Sequence, residues 1–236
     1  MLRMLFGEPA RKAEGALAEA FEWMERFVRL MNERISAGKD GDHKLRTYEL
    51  WTIGLMAALD ELEQSRYAAR RFASRVRGKS LAQMPEEERL DYYRHVYFDK
   101  NAFIRVFAIL DKLGTLMNDL FGLETEKMKS RFSYFTVLRG MRQRNLHPAL
   151  TTVLGKLKDS NREPMANLRK RRNIEVHYMN TELMDDLVQS HQSYGTEFKL
   201  ENLESHMRDL DQAFAMVAET LRSTFEYAVR LPKMNR

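Results

Sequence analysis

Residues 169 to 180 read Arg-Lys-Arg-Arg-Asn-Ile-Glu-Val-His-Tyr-Met-Asn. This run holds the residue types that acid–base chemistry at a phosphate requires. His177 titrates near neutral pH and can give or take a proton. Arg172 carries a permanent charge on a planar fork that matches phosphate oxygens. Asn173 precedes His177 by four residues, so on a helix the two share a face and the amide can orient the imidazole. Arg169, four residues before Asn173, extends that stripe, and Arg172 and Val176 form a neighbouring one. Arg169, Lys170 and Arg171 supply attraction for an anionic backbone.

Helical geometry complicates a site built within one chain. Arg172 and His177 are five residues apart, which puts them about 140° apart around an ideal helix axis. Either the helix bends or ends between them, or Arg172 of one protomer meets His177 of another. A purely structural reading competes. In it His177 caps or packs at a helix end near Asn180, and Arg172 pairs with Glu163 or Asp185.

Other motifs carry less. Ala73 to Ser80 fits a relaxed phosphate-loop pattern, but that chemistry needs a buried strand before the loop. An amphipathic helix precedes it here, and Pro85 follows shortly. Asp40-Gly41-Asp42-His43 offers oxygen ligands without the spacing of a calcium loop, so a solvated turn is expected. No Glu-x-x-His or His-Glu-x-x-His occurs, and His95, His147, His191 and His206 lack a metal-like or triad-like partner nearby in sequence. No metal and no cofactor is expected.

The charge is concentrated around the first motif. Residues 127 to 172 hold thirteen basic and two acidic side chains, a net +11 in a chain whose total is +5. The rest is a mildly acidic body at −6. Folded onto one face, such a segment attracts polyanions. Cys is absent, which excludes disulfides, thiolate metal sites and a cysteine nucleophile. The opening residues turn polar at Gly7-Glu8 with no apolar h-region, and no run approaches the ~20 residues of a membrane span. A cytoplasmic protein without membrane contact is expected.

The elements around the motif read as helices. Only 11 Gly and 5 Pro occur in 236 residues, and no segment alternates at period 2. The spacing predicts helices over about 11–35, 44–76, 85–96, 99–121, 125–144, 148–158, around 168–178, a short one at 181–191, and a long last one. In the second, Tyr48, Trp51, Leu55, Leu59 and Leu62 are expected on one buried face. In the last, Leu203, Met207, Leu210, Phe214, Val217, Leu221, Thr224 and Ala228 repeat at alternating spacings of four and three, the pattern of a bundle core or dimer seam. One all-α domain over 1–236 is expected, with a core from about 44 to 230 and the 11–35 helix packed on it.

Within this setting the Arg172-Asn173-x-x-x-His177 run resembles the Arg-x4–6-His motif of the HEPN superfamily, most closely the Cthe_2314-like HEPN branch. The resemblance extends loosely from about Lys44 to Arg230. It implies a bundle of four or five long antiparallel helices that commonly forms homodimers whose motifs face a shared cleft; the shorter helices inserted between Glu124 and Asn161 depart from that compact pattern. Active members are metal-independent endoribonucleases, many of toxin–antitoxin or defence systems, and inactive members bind RNA or nucleotides or act as scaffolds. For this chain the resemblance implies Arg172, Asn173 and His177 as catalytic residues and RNA as a partner, with a cognate antitoxin as a second. The residue chemistry suits such a role: metal-free cleavage needs a base for the 2′-hydroxyl, an acid for the leaving 5′-oxygen and a cation for the phosphorane.

Overall fold

The computed structural model describes residues 2–12, 14–78, 81, 84–177 and 203–231. Among them are eight α-helices, one 3-10 turn and no strand. They are α1 (Leu2–Leu5), α2 (Gly15–Ser36), α3 (Lys44–Ala73), α4 (Glu86–Leu120), α5 (Tyr134–Gln143), α6 (Pro148–Ser160), α7 (Arg162–His177) and α8 (Leu203–Arg230). The expected helix at 181–191 lies outside the described residues. No helix of the described residues is long and apolar enough to cross a membrane.

Amphipathic periodicity builds the bundle. α8 buries Met207, Leu210, Phe214, Val217, Leu221, Thr224 and Ala228, the positions that its spacing singles out. α2 lays Ala20, Met24, Phe27 and Met31 against it and against α3, with Phe27 edge-on to Phe225 at 5.3 Å. α3 and α4 run antiparallel. Phe72 stacks on Phe98, His95 Nδ1 meets the Ala69 carbonyl at 2.9 Å, and Arg105 of α4 reaches back to Glu61. The buried side chains of these helices and of α5 to α7 form one connected cluster. Burying apolar area at ~25 cal/mol per Å² is what holds such helices together, since few would persist alone in water.

Four expectations need correction. The pair of helices at 85–96 and 99–121 is a single helix of 35 residues. Asp99 favours a helix start locally, but here its carboxylate is buried against Arg171 and the helix runs through it. The 125–144 helix is a 3-10 turn at Thr125–Lys127 followed by α5. Thr125 is held by Asn118, and α5 starts only at Tyr134, whose N–H donates to Asp111 at 3.1 Å. Trp51 is 39 % exposed and off the core face, which Thr52, Leu55, Leu59 and Leu62 occupy. The first long helix begins at Gly15, with φ +57°, because Arg11 turns to α3 and pairs with Asp60 and Glu63.

That turn belongs to an N-terminal strap. Arg3 donates to Glu63 at 2.9 Å, and Phe6 packs on Phe72 at 5.6 Å. Glu8 accepts from Tyr67 and Arg71.

Candidate functional site

α7 carries the motif, and local chemistry sets its start. Asn161 closes α6 by donating to the Leu157 carbonyl at 2.9 Å. Glu163 and Pro164 then occupy the first turn of α7, where an acid suits the helix dipole and a proline forfeits no intrahelical bond. Met165 and Leu168 are buried and seat the helix on the bundle. Asn167 donates to Asp209 of α8 at 3.0 Å.

Beyond Leu168 every basic residue of the motif has a distinct environment. Arg169 is exposed and lies over the Phe135 ring of α5 at 4.9 Å. Lys170 is exposed. Arg171 turns inward, pairs with the buried Asp99 carboxylate and lies over Phe103 at 4.7 Å. Arg172 lies half-buried over Phe107 at 5.0 Å, and its buried Nε has no hydrogen-bond partner among the described residues. Asn173 is half-buried. Glu175 reaches Lys100 of α4 at 3.5 Å. α7 therefore runs antiparallel to α4, with Arg172 beside Phe107 and Glu175 beside Lys100.

The expected pairing of Arg172 with Glu163 is not formed, and Asp185 lies outside the described residues. Among the described residues, Asp111 of α4 feels the charges of both Arg172 and Arg169. Burial pushes the Asp111 carboxyl up from its ordinary range, against the lowering effect of the Tyr134 N–H and of the Arg172 and Arg169 charges. The carboxylate keeps an edge in solvent and caps α5, so it partly offsets the two guanidiniums without binding either in a close ion pair.

α7 is helical without interruption from Arg162 to His177, so it does not end between Arg172 and His177. Arg169 over Phe135 and Arg172 over Phe107 both lie near enough to Asp111 for their charges to act on its carboxyl. Arg171 is taken away from them by Asp99. The spacing of the motif did not reveal Asp99, Asp111, Lys100 or the three rings under the arginines. The trace of them in sequence was slight: Asp99, Phe103 and Phe107 fall among the buried positions of α4, while Lys100 and Asp111 lie off that stripe and Phe135 belongs to α5.

The other motifs resolve into structural roles. The backbone N–H groups of Arg77 and Gly78, in the phosphate-loop-like run, donate to the Glu88 carboxylate, the first at 2.6 Å. Asp40 caps α3 by accepting from Leu45 and Arg46 at 2.8 and 3.2 Å. His147 Nδ1 meets the Tyr227 hydroxyl at 2.8 Å. His191 lies outside the described residues.

No curated protein and no solved structure matches the chain. The family model HEPN_Cthe2314, described as a like-HEPN family, matches residues 51–229. That stretch takes in α4, α7 and α8, the helices that position Arg172, and it covers well over half of the sequence, so the chain belongs to the Cthe_2314-like branch of the HEPN superfamily.

Proposed function

We propose that this protein is a metal-independent endoribonuclease of the HEPN type, acting as a homodimer in a toxin–antitoxin or defence setting. Membership of the family points to RNA-related or nucleotide-binding work, and HEPN domains often homodimerise. The observation that carries the finer reading is Arg172. Its guanidinium lies half-buried on Phe107 and forms no ion pair among the described residues, and it stands in the most basic segment of the chain. A fixed cation of that kind is suited to charge that develops on a phosphorane.

In this mechanism His177 takes the proton of a ribose 2′-hydroxyl, and the 2′-oxygen attacks the adjacent phosphorus. Arg172 meets the negative charge on the equatorial oxygens, and Asn173 orients the imidazole. The P–O5′ bond breaks and the 5′-oxygen is protonated. The products are a 2′,3′-cyclic phosphate and a 5′-hydroxyl. The unbroken α7 supports a composite site, in which Arg172 of one protomer works with the partner subunit's His177. Arg169 and Lys170 supply attraction for the backbone, and Arg171, engaged by Asp99, contributes chiefly by docking the helix.

A second reading has one observation in its favour. Arg171 and Arg172 both rest on aromatic rings of α4, as structural arginines do. In that reading the protein is a catalytically inactive module that binds RNA or nucleotides. The experiment is cleavage of total and transfer RNA in EDTA, wild type beside His177→Ala. Fragments ending in 2′,3′-cyclic phosphate from the wild type alone support the nuclease. RNA binding without turnover, unchanged by loss of the imidazole, supports the module.

A further inference from the structure

We propose that the α5–α6 hairpin carries a phosphate track that holds the backbone of the RNA strand engaged at Arg172. This rests on the reading of that site as an RNA site, and it assigns the segment between the bundle helices a role in substrate binding.

The track starts at Phe135. Phe135, Arg139 and Arg142 follow one another at four and three residues and share one face of α5. The opposite face buries Tyr134, Val137, Leu138 and Met141. Phe135 carries the Arg169 guanidinium at 4.9 Å, so the strip begins where the motif helix lies. Along α5 it runs about 10 Å from Phe135 to Arg142. Past Arg142 it opens into a 300 Å³ cleft that Asn145, Gly155 and Lys156 help to line. The one acid of the cleft, Asp159, is paired with Lys158 at 3.2 Å.

Charge decides what this strip is for. Arg139, Arg142 and Lys156 are exposed and form no ion pair among the described residues. Of the exposed arginines elsewhere, Arg70 is matched by Asp211, whereas Arg29, Arg77, Arg89 and Arg208 form no ion pair among the described residues, so the strip is set apart by the alignment of its cations on one helix face. α5 contains no acidic residue at all. A row of unmatched cations on a rigid helix, continuous with Arg169, complements a polyanion. An acidic protein would need an apolar, desolvated centre for affinity, and α5 exposes no large apolar side chain. The strip thus suits a nucleic-acid backbone, bound without reading its sequence.

The test is binding of a fluorescent single-stranded RNA to the full chain, with His177→Ala as the background so that no turnover occurs. Affinity is measured across a potassium chloride series for that protein and for the added triple change Arg139→Ala, Arg142→Ala, Lys156→Ala. All three side chains are exposed, and thermal melts verify that the variant folds. Each phosphate contact on a single strand contributes about 0.7 to the slope of log K against log salt. The triple variant is expected to bind on the order of tenfold more weakly and to flatten that slope by about two. Lys44→Ala, at the start of α3 where the amine pairs with Asp42, is expected to change neither. Unchanged slope in the triple variant, with binding lost in Arg172→Ala, overturns the track and leaves the RNA site standing. A flattened slope, with wild-type cleavage indifferent to Arg172 and His177, supports the track and removes the catalytic reading. Absence of RNA binding overturns both. Competition by polyglutamate as strong as by RNA overturns the nucleic-acid assignment in favour of an acidic protein.

Discussion

Arg171 of α7 and Asp99 of α4 form an ion pair across the helix interface, with the Asp99 side chain 3 % exposed and that of Arg171 18 %. The pair immediately precedes Arg172. It thereby sets which side of α7 faces α4, and places the next guanidinium over Phe107. Asp99 makes this pair from within the unbroken α4. A single contact between residues 72 apart thus ties the longest helix to the setting of the motif.

Removing one partner of this pair leaves the other charge buried. Asp99→Ala is expected to destabilise the protein by about 3 kcal/mol. The double change Arg171→Met, Asp99→Leu is expected to recover most of that loss, because no charge is then left buried. Urea denaturation of wild type and the two variants checks this, and a double variant no more stable than Asp99→Ala would count against the pairing.

Arg172 is expected to tolerate no cationic substitute. Arg172→Lys keeps the charge but loses the fork and the flat stacking surface on Phe107. Cleavage should fall about 100-fold, on the scale of removing one transition-state donor. Melting should change little. Initial rates on a cleaved RNA beside thermal melts provide the comparison.

The composite site predicts complementation. Arg172→Ala and His177→Ala homodimers are each expected to be inactive. Mixed and re-equilibrated, they form heterodimers in which one of the two sites is intact, and activity should return to about a quarter of wild type, since half of the dimers are mixed. Recovery fails if each chain holds a whole site.

Stability at low pH should report the N-terminal strap. Burial pushes the Glu63 carboxyl up, but the bond from Arg3 and the charges of Arg3, Arg11 and Arg66 outweigh it, so its pKa lies below the ordinary glutamate range. A depressed carboxyl pKa contributes stability that is present above the unfolded value and lost as pH falls through the folded one. Wild type should therefore lose melting temperature more steeply than Glu63→Gln between about pH 5 and pH 3, and should be the more stable of the two at pH 7. Parallel melting curves across that range would dismiss the strap as a pH-sensitive element.

Two helical glycines are expected to respond in opposite directions. At Gly114 an added Cβ would lie 2.8 Å from the Tyr134 Cα, where α5 crosses α4. Gly114→Ala should destabilise by about 1–3 kcal/mol, since backbone must move. At Gly54 nothing lies within 4 Å. Gly54→Ala should stabilise by about 0.5–1 kcal/mol through the unfolded chain. Chemical denaturation distinguishes the two.

Much of the bundle was legible because amphipathic spacing is a local property. The alternating stripe of α8 from Met207 to Ala228 is buried as its spacing requires. Gly and Pro scarcity excluded a sheet, and Pro164 and Asn161 marked the junction of α6 and α7. The motif at Arg172-Asn173 was legible too, through residue type and interval. Trp51 was misread because an aromatic near the edge of a stripe fits either side of it, and only the packing of Thr52 and Leu55 decides. The two-helix reading of α4 failed for a related reason: Asp99 has a local preference for a helix start, and in the structure it pairs with a distant arginine from within an unbroken helix.

From sequence alone came the all-α class, the concentration of charge between residues 127 and 172, and the interval between Arg172 and His177. These depend on composition and on neighbours along the chain. The tertiary structure alone decided that Arg171 faces inward to Asp99 while Arg172 rests on Phe107 beside Asp111. It also decided that Arg169 meets Phe135 at the head of a row of cations that form no ion pair among the described residues. Ion pairs and ring contacts depend on distance in space. Helices far apart in sequence must pack before a cation is either neutralised or left free to bind.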